Sequence, residues 1–170
     1  MKRLILAAVL ATAGLAAPLA IGRAAHAQEI VRGGAPASPI ASVVTVPAGY
    51  DTIYVSGMTP PMLDPKGDPS LPATFGDTKT QTLGVLTRIQ EALKTQGATM
   101  GDVVMMRVLL VGDPAKGGKM DFPGMMESYK TFFGTPEQPN KPSRITSQIV
   151  SLVQGGMLVE IEVQAARKPK

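Results

Sequence analysis

Residues 77–111 read DTKTQTLGVLTRIQEALKTQGATMGDVVMMRVLLV, and the two halves of this stretch have different periods. In the first half Leu83, Leu86, Ile89 and Leu93 recur at helical spacing, while Gln81, Thr87, Arg88, Glu91 and Lys94 fall largely off that stripe. One apolar face on a polar cylinder is the pattern of an amphipathic helix. Asp77 stands where an N-cap carboxylate accepts from the first free N–H groups, and Gly97 stands where a left-handed residue ends the helix. In the second half, Val103–Val111 (VVMMRVLLV) is almost continuously apolar, as expected of a central strand covered on both faces.

Outward from this core, Ile40–Val46 (IASVVTV) and Thr52–Ser56 (TIYVS) are β-branched runs linked through Pro47-Ala48-Gly49, which predicts a hairpin. Residues 59–77 hold Pro60, Pro61, Pro65, Pro69 and Pro72 with Gly67 and Gly76, so they form a long loop, either functional or a surface excursion. After a polar loop at 112–119, Asp121 opens a second helix that ends at Gly134. Its stripe of Phe122, Met125, Met126, Tyr129, Phe132 and Phe133 reads as core rather than as a ligand surface. A turn-rich loop at 135–143 follows. Ile145–Val153 and Met157–Ala165 then read as two strands joined into a hairpin by Gln154-Gly155-Gly156. In the last, Val159, Ile161 and Val163 alternate with Leu158, Glu160, Glu162 and Gln164. The order is β-β-α-β-α-β-β, an α+β fold with a mixed sheet and both helices on one face. The domain is expected over residues 40–166, after a loose, flexible arm at 28–39 and before a short basic tail at 167–170.

The 170 residues are 44% hydrophobic and 18% charged, a globular composition for one domain. Residues 1–27 carry Lys2 and Arg3, an apolar run from Leu4 to Ile21, and the small-x-small triplet Ala25-His26-Ala27. That is the pattern of a secretory signal peptide cleaved before Gln28, the alternative being an uncleaved anchor. The mature protein is then expected in the periplasm, without stable membrane insertion. Removal of Lys2, Arg3 and Arg23 leaves 14 basic against 13 acidic residues and takes the net charge from +4 to +1. The chain has no cysteine, and its single histidine, His26, lies in the signal. Disulfides, thiolate nucleophiles, Cys- or His-ligated zinc, Ser-His-Asp triads and histidine-based ribonuclease chemistry are excluded for the mature chain.

Several ordered segments resemble the RidA (YjgF, L-PSP) family of imine/enamine deaminases. They are Ile53-Tyr54-Val55-Ser56-Gly57, Gly76-Asp77 with Gln81-Thr82, Gly101-Asp102-Val103-Val104 and Asp121-Phe122. They continue with Tyr129 and Phe132-Phe133-Gly134, Pro142-Ser143-Arg144 and Leu158-Val159-Glu160-Ile161-Glu162. The resemblance spans roughly residues 38–166. It implies a chorismate-mutase-like fold assembled as a homotrimer, with clefts between subunits. It also implies hydrolysis of 2-imino or 2-enamino acids to 2-keto acids and ammonia, with no metal or organic cofactor.

By the same resemblance Arg144 binds the substrate carboxylate, a role suited to a planar guanidinium that donates two charge-assisted hydrogen bonds. Glu160 positions the hydrolytic water. The link from Leu152 to Glu160 is one residue longer than the family's spacing, which leaves Glu162 as an alternative equivalent. The two acids share a strand face, and neighbouring carboxylates can raise one pKa. Thr146, two past the arginine, takes the place of a Cys or small residue whose backbone polarises substrate or water. Ser56 and Gly57 line the cleft. Three positions differ from the family's usual residues: Ile40 replaces a covering aromatic, Met58 a Gln and Met126 an Asn, so the cleft is expected to be greasier than the family standard.

The residues leave three readings open: a deaminase of altered substrate preference, a non-catalytic trimeric binder of small carboxylates or apolar ligands, and an endoribonuclease. The third fits least, because the mature chain has no histidine, no tryptophan, few aromatics to stack bases and no basic stripe. The expected partners are a small carboxylate and further copies of the chain, not nucleic acid.

Overall fold

The computed structural model describes residues 29–169, so the signal-peptide reading lies outside the described residues. Two sheets are present. A ribbon pairs β1 (Val31–Gly33) with β2 (Val43–Thr45) antiparallel. The main sheet contains β3 (Asp51–Met58), β4 (Val103–Val111), β5 (Ser143–Ile149) and β6 (Val159–Arg167) in the order β3-β6-β4-β5. Only the β4–β5 pairing is parallel, so the sheet is mixed. Helices α1 (Thr78–Thr95) and α2 (Phe122–Tyr129) pack against each other, and α1 lies against β3 and β6, which gives the expected α+β architecture.

Both helix starts follow from sequence. The Asp77 carboxylate accepts from the Thr80 N–H at 2.8 Å, and Asp121 accepts from the Gly124 N–H at 3.1 Å. These bonds satisfy donors that have no partner within the helix. Gly97, with φ of +68°, ends α1 as its position predicts. The core joins Val85, Leu86, Ile89 and Leu93 of α1 to Met106, Val108 and Leu110 of β4, and to Val159, Ile161 and Val163 of β6. Burying each such side chain stabilises the fold by about 1.5–3 kcal/mol.

Neither predicted hairpin forms. The Ile40–Val46 run is reduced to β2 and pairs with β1, while β3 pairs with β6 instead. The two final strands are not neighbours either, because β4 lies between β5 and β6. Its apolar run needs a partner on each edge as well as a covered face, and the chain-adjacent strands are drawn to opposite sides of it. The link between them is stitched to the proline-rich loop, where the Gly156 N–H donates to the Pro69 carbonyl at 2.9 Å. That loop contains a short 3-10 turn at Pro72–Thr74 and no strand. α2 ends at Tyr129, five residues before Gly134, in a series of turns.

The apolar stripe of α1 is also rotated from the expected one. Leu83 is 48% exposed, whereas Gln81 is fully buried. Gln81 donates from Nε2 to the Gly76 and Gly156 carbonyls and accepts from the Leu158 N–H, at 2.9, 3.0 and 2.7 Å. A buried amide is tolerated when its donors and acceptor are all engaged.

Residues 28–39 are not a loose arm over their described length. Besides contributing β1, they are clamped by the Arg32 guanidinium, which donates to the Val103, Lys141 and Gly101 carbonyls at 2.8–2.9 Å. Lys141 Nζ donates in turn to the Pro36 and Ser38 carbonyls, and Tyr129 OH donates to the Pro39 carbonyl. The basic tail is partly structured as well: Arg167 completes β6 beside Asp51, and Lys168 pairs with Glu29.

Candidate functional site

Arg144 lies on β5, an edge strand of the main sheet. It pairs with Met106, whose side chain belongs to the helix-facing core, so the arginine points to the same side. There it meets one face of α2. Its guanidinium carbon is 4.4 Å from the Tyr129 ring centroid and 5.7 Å from that of Phe122, and Nη1 approaches Met126 Sδ at 3.2 Å. Residues 122, 126 and 129 occupy successive turns of a helix at the spacing that brings side chains together. Phe122 and Tyr129, read from sequence as core, thus flank the main candidate residue. Their spacing was the available signal, but only the sheet register shows that Arg144 faces them.

This guanidinium has no counter-ion among the described residues: no carboxylate lies within ion-pair distance of it. Its one hydrogen-bond partner among the described residues is a thioether, a weak acceptor. Burial pulls its pKa below the ordinary arginine range, with an opposing electrostatic contribution from Tyr129. Burial pushes the Tyr129 phenol up to about 12, against the two nearby cations Arg144 and Arg32. A half-buried cation with unused donors is costly unless an anion completes it.

Thr146 shares the helix-facing side of β5, and its Oγ1 is buried without a hydrogen-bond partner. Ile40 belongs to the same edge. Its neighbour Ala41 bridges to Ser143, and Tyr129 holds the preceding Pro39 carbonyl. A cavity of about 310 Å³ opens along the arm beside Arg32, Ile40 and Lys141, but both cations there already donate to carbonyls.

The remaining candidates lie toward the other edge of the sheet, at or beside β3. Ser56 and Gly57 form a bulge in β3, between the Val55–Val163 and Met58–Ile161 pairs. Glu160 lies over this bulge, and a Cβ at Gly57 would collide with its carboxylate. Glycine is therefore needed there for close approach rather than for its backbone angles. Glu160 pairs with Leu109 and Glu162 with Arg107, on the face that carries no helix. The two acids share that face as predicted. Glu162 is bonded to Arg107 at 2.7 Å, a geometry set by their direct opposition across β4 and β6. Met58 packs against the core near Ala92 of α1.

The candidates therefore fall into two half-sites. Arg144, Thr146, Ile40 and Met126 lie at the β5 edge on the helix side. Ser56, Gly57 and Glu160 lie at or beside the β3 edge, with the carboxylate on the helix-free side. The edges are separated by three strand spacings, roughly 14 Å. One chain does not bring Arg144 and Glu160 together.

The family model described as endoribonuclease L-PSP matches residues 34–167. The chain belongs to the L-PSP family, which includes the YjgF and Rid proteins. Among solved structures with this fold, YyfB of the conserved Rid family from Yersinia pestis is similar with a TM-score of 0.56 at 23% identity. That match covers 76% of this chain and 87% of YyfB. A YjgF-family protein from Neisseria meningitidis has a TM-score of 0.51 at 21% identity, over 85% of this chain and all of the other. An uncharacterized protein from Pseudomonas aeruginosa has a TM-score of 0.51 at 25% identity, over 82% of this chain and all of its own. No curated protein matches the sequence. The L-PSP match starts at Gly34, inside the arm, and ends at Arg167, the last residue of β6, so it spans both half-sites.

Proposed function

We propose that this L-PSP protein is an exported deaminase that hydrolyses 2-imino and 2-enamino acids to 2-keto acids and ammonia. The observation that carries the reading is Arg144, a half-buried guanidinium beside two aromatic rings with donors unspent and, among the described residues, no carboxylate within ion-pair distance. A substrate carboxylate supplies the missing acceptor and counter-charge. Water then adds to the imine carbon, and the resulting carbinolamine loses ammonia as the C=O bond forms. Holding the carboxylate plane fixes that carbon relative to the water.

Glu160 is the group proposed to orient the water and return its proton to the departing amine. Its place over Gly57 favours it over Glu162, which Arg107 already holds. Since Arg144 and Glu160 face opposite sides of one chain's sheet, the reading requires neighbouring subunits to join the half-sites. Two different edges meeting head to tail generate a ring, and the family resemblance supplies the number three.

The test is a coupled assay on the purified protein, in which an amino-acid oxidase generates imino acids in situ and keto-acid release is followed. Faster release with the protein present, lost in Arg144→Ala, supports the deaminase. Arg144-dependent binding without turnover supports a trimeric carboxylate binder, a second reading favoured by the departures at Ile40, Met58 and Met126. Export is tested separately: the mature protein in a periplasmic fraction should begin at or near Gln28.

A further inference from the structure

We propose that Met126 and Phe122 make the Arg144 site selective for monocarboxylates with an apolar body and against dicarboxylates. The inference rests on the carboxylate reading of Arg144 and names the substrate class for it. The guanidinium spends Nη1 on the Met126 thioether, while Nε and Nη2 have no protein acceptor among the described residues. Those two donors form the side-on edge of the fork, which takes one carboxylate in a bidentate pair. Beside that edge stand Met126, largely buried, and the Phe122 ring, which is 38% exposed and so presents a free apolar surface next to the anchor.

Among the described residues the other cation near Tyr129, Arg32, already donates to three backbone carbonyls. Tyr129 is the one titratable neighbour whose charge acts on Arg144, and burial keeps that phenol neutral well past pH 10. Two of the charged residues along α2 are otherwise engaged: Asp121 lies 3.9 Å from Lys116, and Glu127 pairs with Lys79 at 2.7 Å. A second carboxylate on the ligand would thus lose hydration against a thioether and a ring with nothing to replace it. An apolar body gains from the same contact, by about fourfold in affinity for each methylene buried.

The experiment is calorimetric titration of the purified protein with stable 2-keto acids. The apolar pair is 4-methyl-2-oxopentanoate and phenylpyruvate; the diacid pair is 2-oxoglutarate and 2-oxoadipate. Apolar acids should bind at least about tenfold more tightly. Phe122→Ser and Met126→Asn should each shrink that ratio below about threefold, chiefly by weakening the apolar acids. Phe122 is partly exposed, so its variant keeps the test alive if Met126→Asn fails to fold. Equal or tighter binding of the diacids, or a ratio unmoved in Phe122→Ser, overturns the selectivity while leaving Arg144 as anchor. Binding that survives Arg144→Met, or no binding of any keto acid, overturns the anchor and the selectivity together.

Discussion

Replacing Arg144 by methionine separates a ligand anchor from a structural arginine, because the two roles predict opposite changes in stability. The wild-type side chain gains cation–π attraction from Tyr129 and Phe122, about 0.5–2 kcal/mol in total for a partly exposed site. Its contact with Met126 Sδ adds little. Against this stands the lost hydration of a half-buried cation that no carboxylate offsets. Methionine has similar length, keeps the aliphatic packing on α2 and removes the buried charge. The net change should fall within about 1 kcal/mol and lie on the stabilising side, raising Tm by up to a few degrees. Carboxylate affinity should fall instead, since a charge-assisted bond to the guanidinium is worth about 1.5–3 kcal/mol, or roughly ten- to 150-fold. Urea denaturation and keto-acid titration of the same preparations read both quantities. A destabilisation above about 2 kcal/mol with unchanged affinity would refute the argument, because Arg144 would then be a packing residue.

Four further outcomes follow from individual contacts. Gly57→Ala should leave stability within about 1 kcal/mol, since the atom its Cβ meets is the end of a flexible side chain. It should lower kcat at least about tenfold by displacing Glu160, and adding it to Glu160→Gln should cost little more. Gln81→Leu removes the partner of the buried Gly156 carbonyl and Leu158 N–H and of the part-buried Gly76 carbonyl; it should destabilise by about 2–5 kcal/mol in urea titrations, and a loss under about 1 kcal/mol would count against the stitching of the loop. The Tyr129 phenol, held up to about 12 by burial, lends stability that is complete below pH 10 and is lost as pH rises from there toward 12. Absorbance titration should show a late-ionising tyrosine that disappears in Tyr129→Phe. No group of three or more His, Cys, Asp or Glu among the described residues is placed to hold a metal ion, so activity should survive chelation, and its loss with recovery on adding a divalent cation would contradict the proposed chemistry.

The two half-sites also bear on how the family's chemistry sits on this fold. The helix side of β5 offers a cation without an anion, and the helix-free side of β6 offers Glu160 without a cation. Tyr54 and Ile145 on that helix-free face are 75% and 51% exposed. A second subunit covering this face would bury both residues and bring a half-site to its complement. Measurement of the mass in solution is therefore also a test of the site: a monomer at micromolar concentration would leave Arg144 and Glu160 apart.

Local signals in the sequence determined the elements. Asp77 and Gly97 delimit α1 because capping satisfies backbone groups within a few residues, information that lies next to the helix it ends. The nine-residue apolar run of β4 announced a central strand for the same reason, but not one covered on both faces: the side bearing Arg107 carries no helix and Arg107 is exposed. The strict alternation after Leu158 placed Glu160 and Glu162 on one face. Family membership was legible too, since it rests on ordered motifs rather than on contacts. Strand partnership was not legible. Chain neighbours at 40–56 and at 145–165 look like hairpins, but β4 attracts β5 and β6 to its two edges, and that competition involves residues dozens of positions apart. The docking of the arm depends likewise on Arg32 finding carbonyls near residues 101, 103 and 141, which no local pattern encodes. For the site, sequence singled out Arg144 and Glu160 as candidates. Only the register of the sheet decided that they face opposite sides and that the aromatic wall around Arg144 belongs to α2, because side-chain direction in a strand is fixed by its partner.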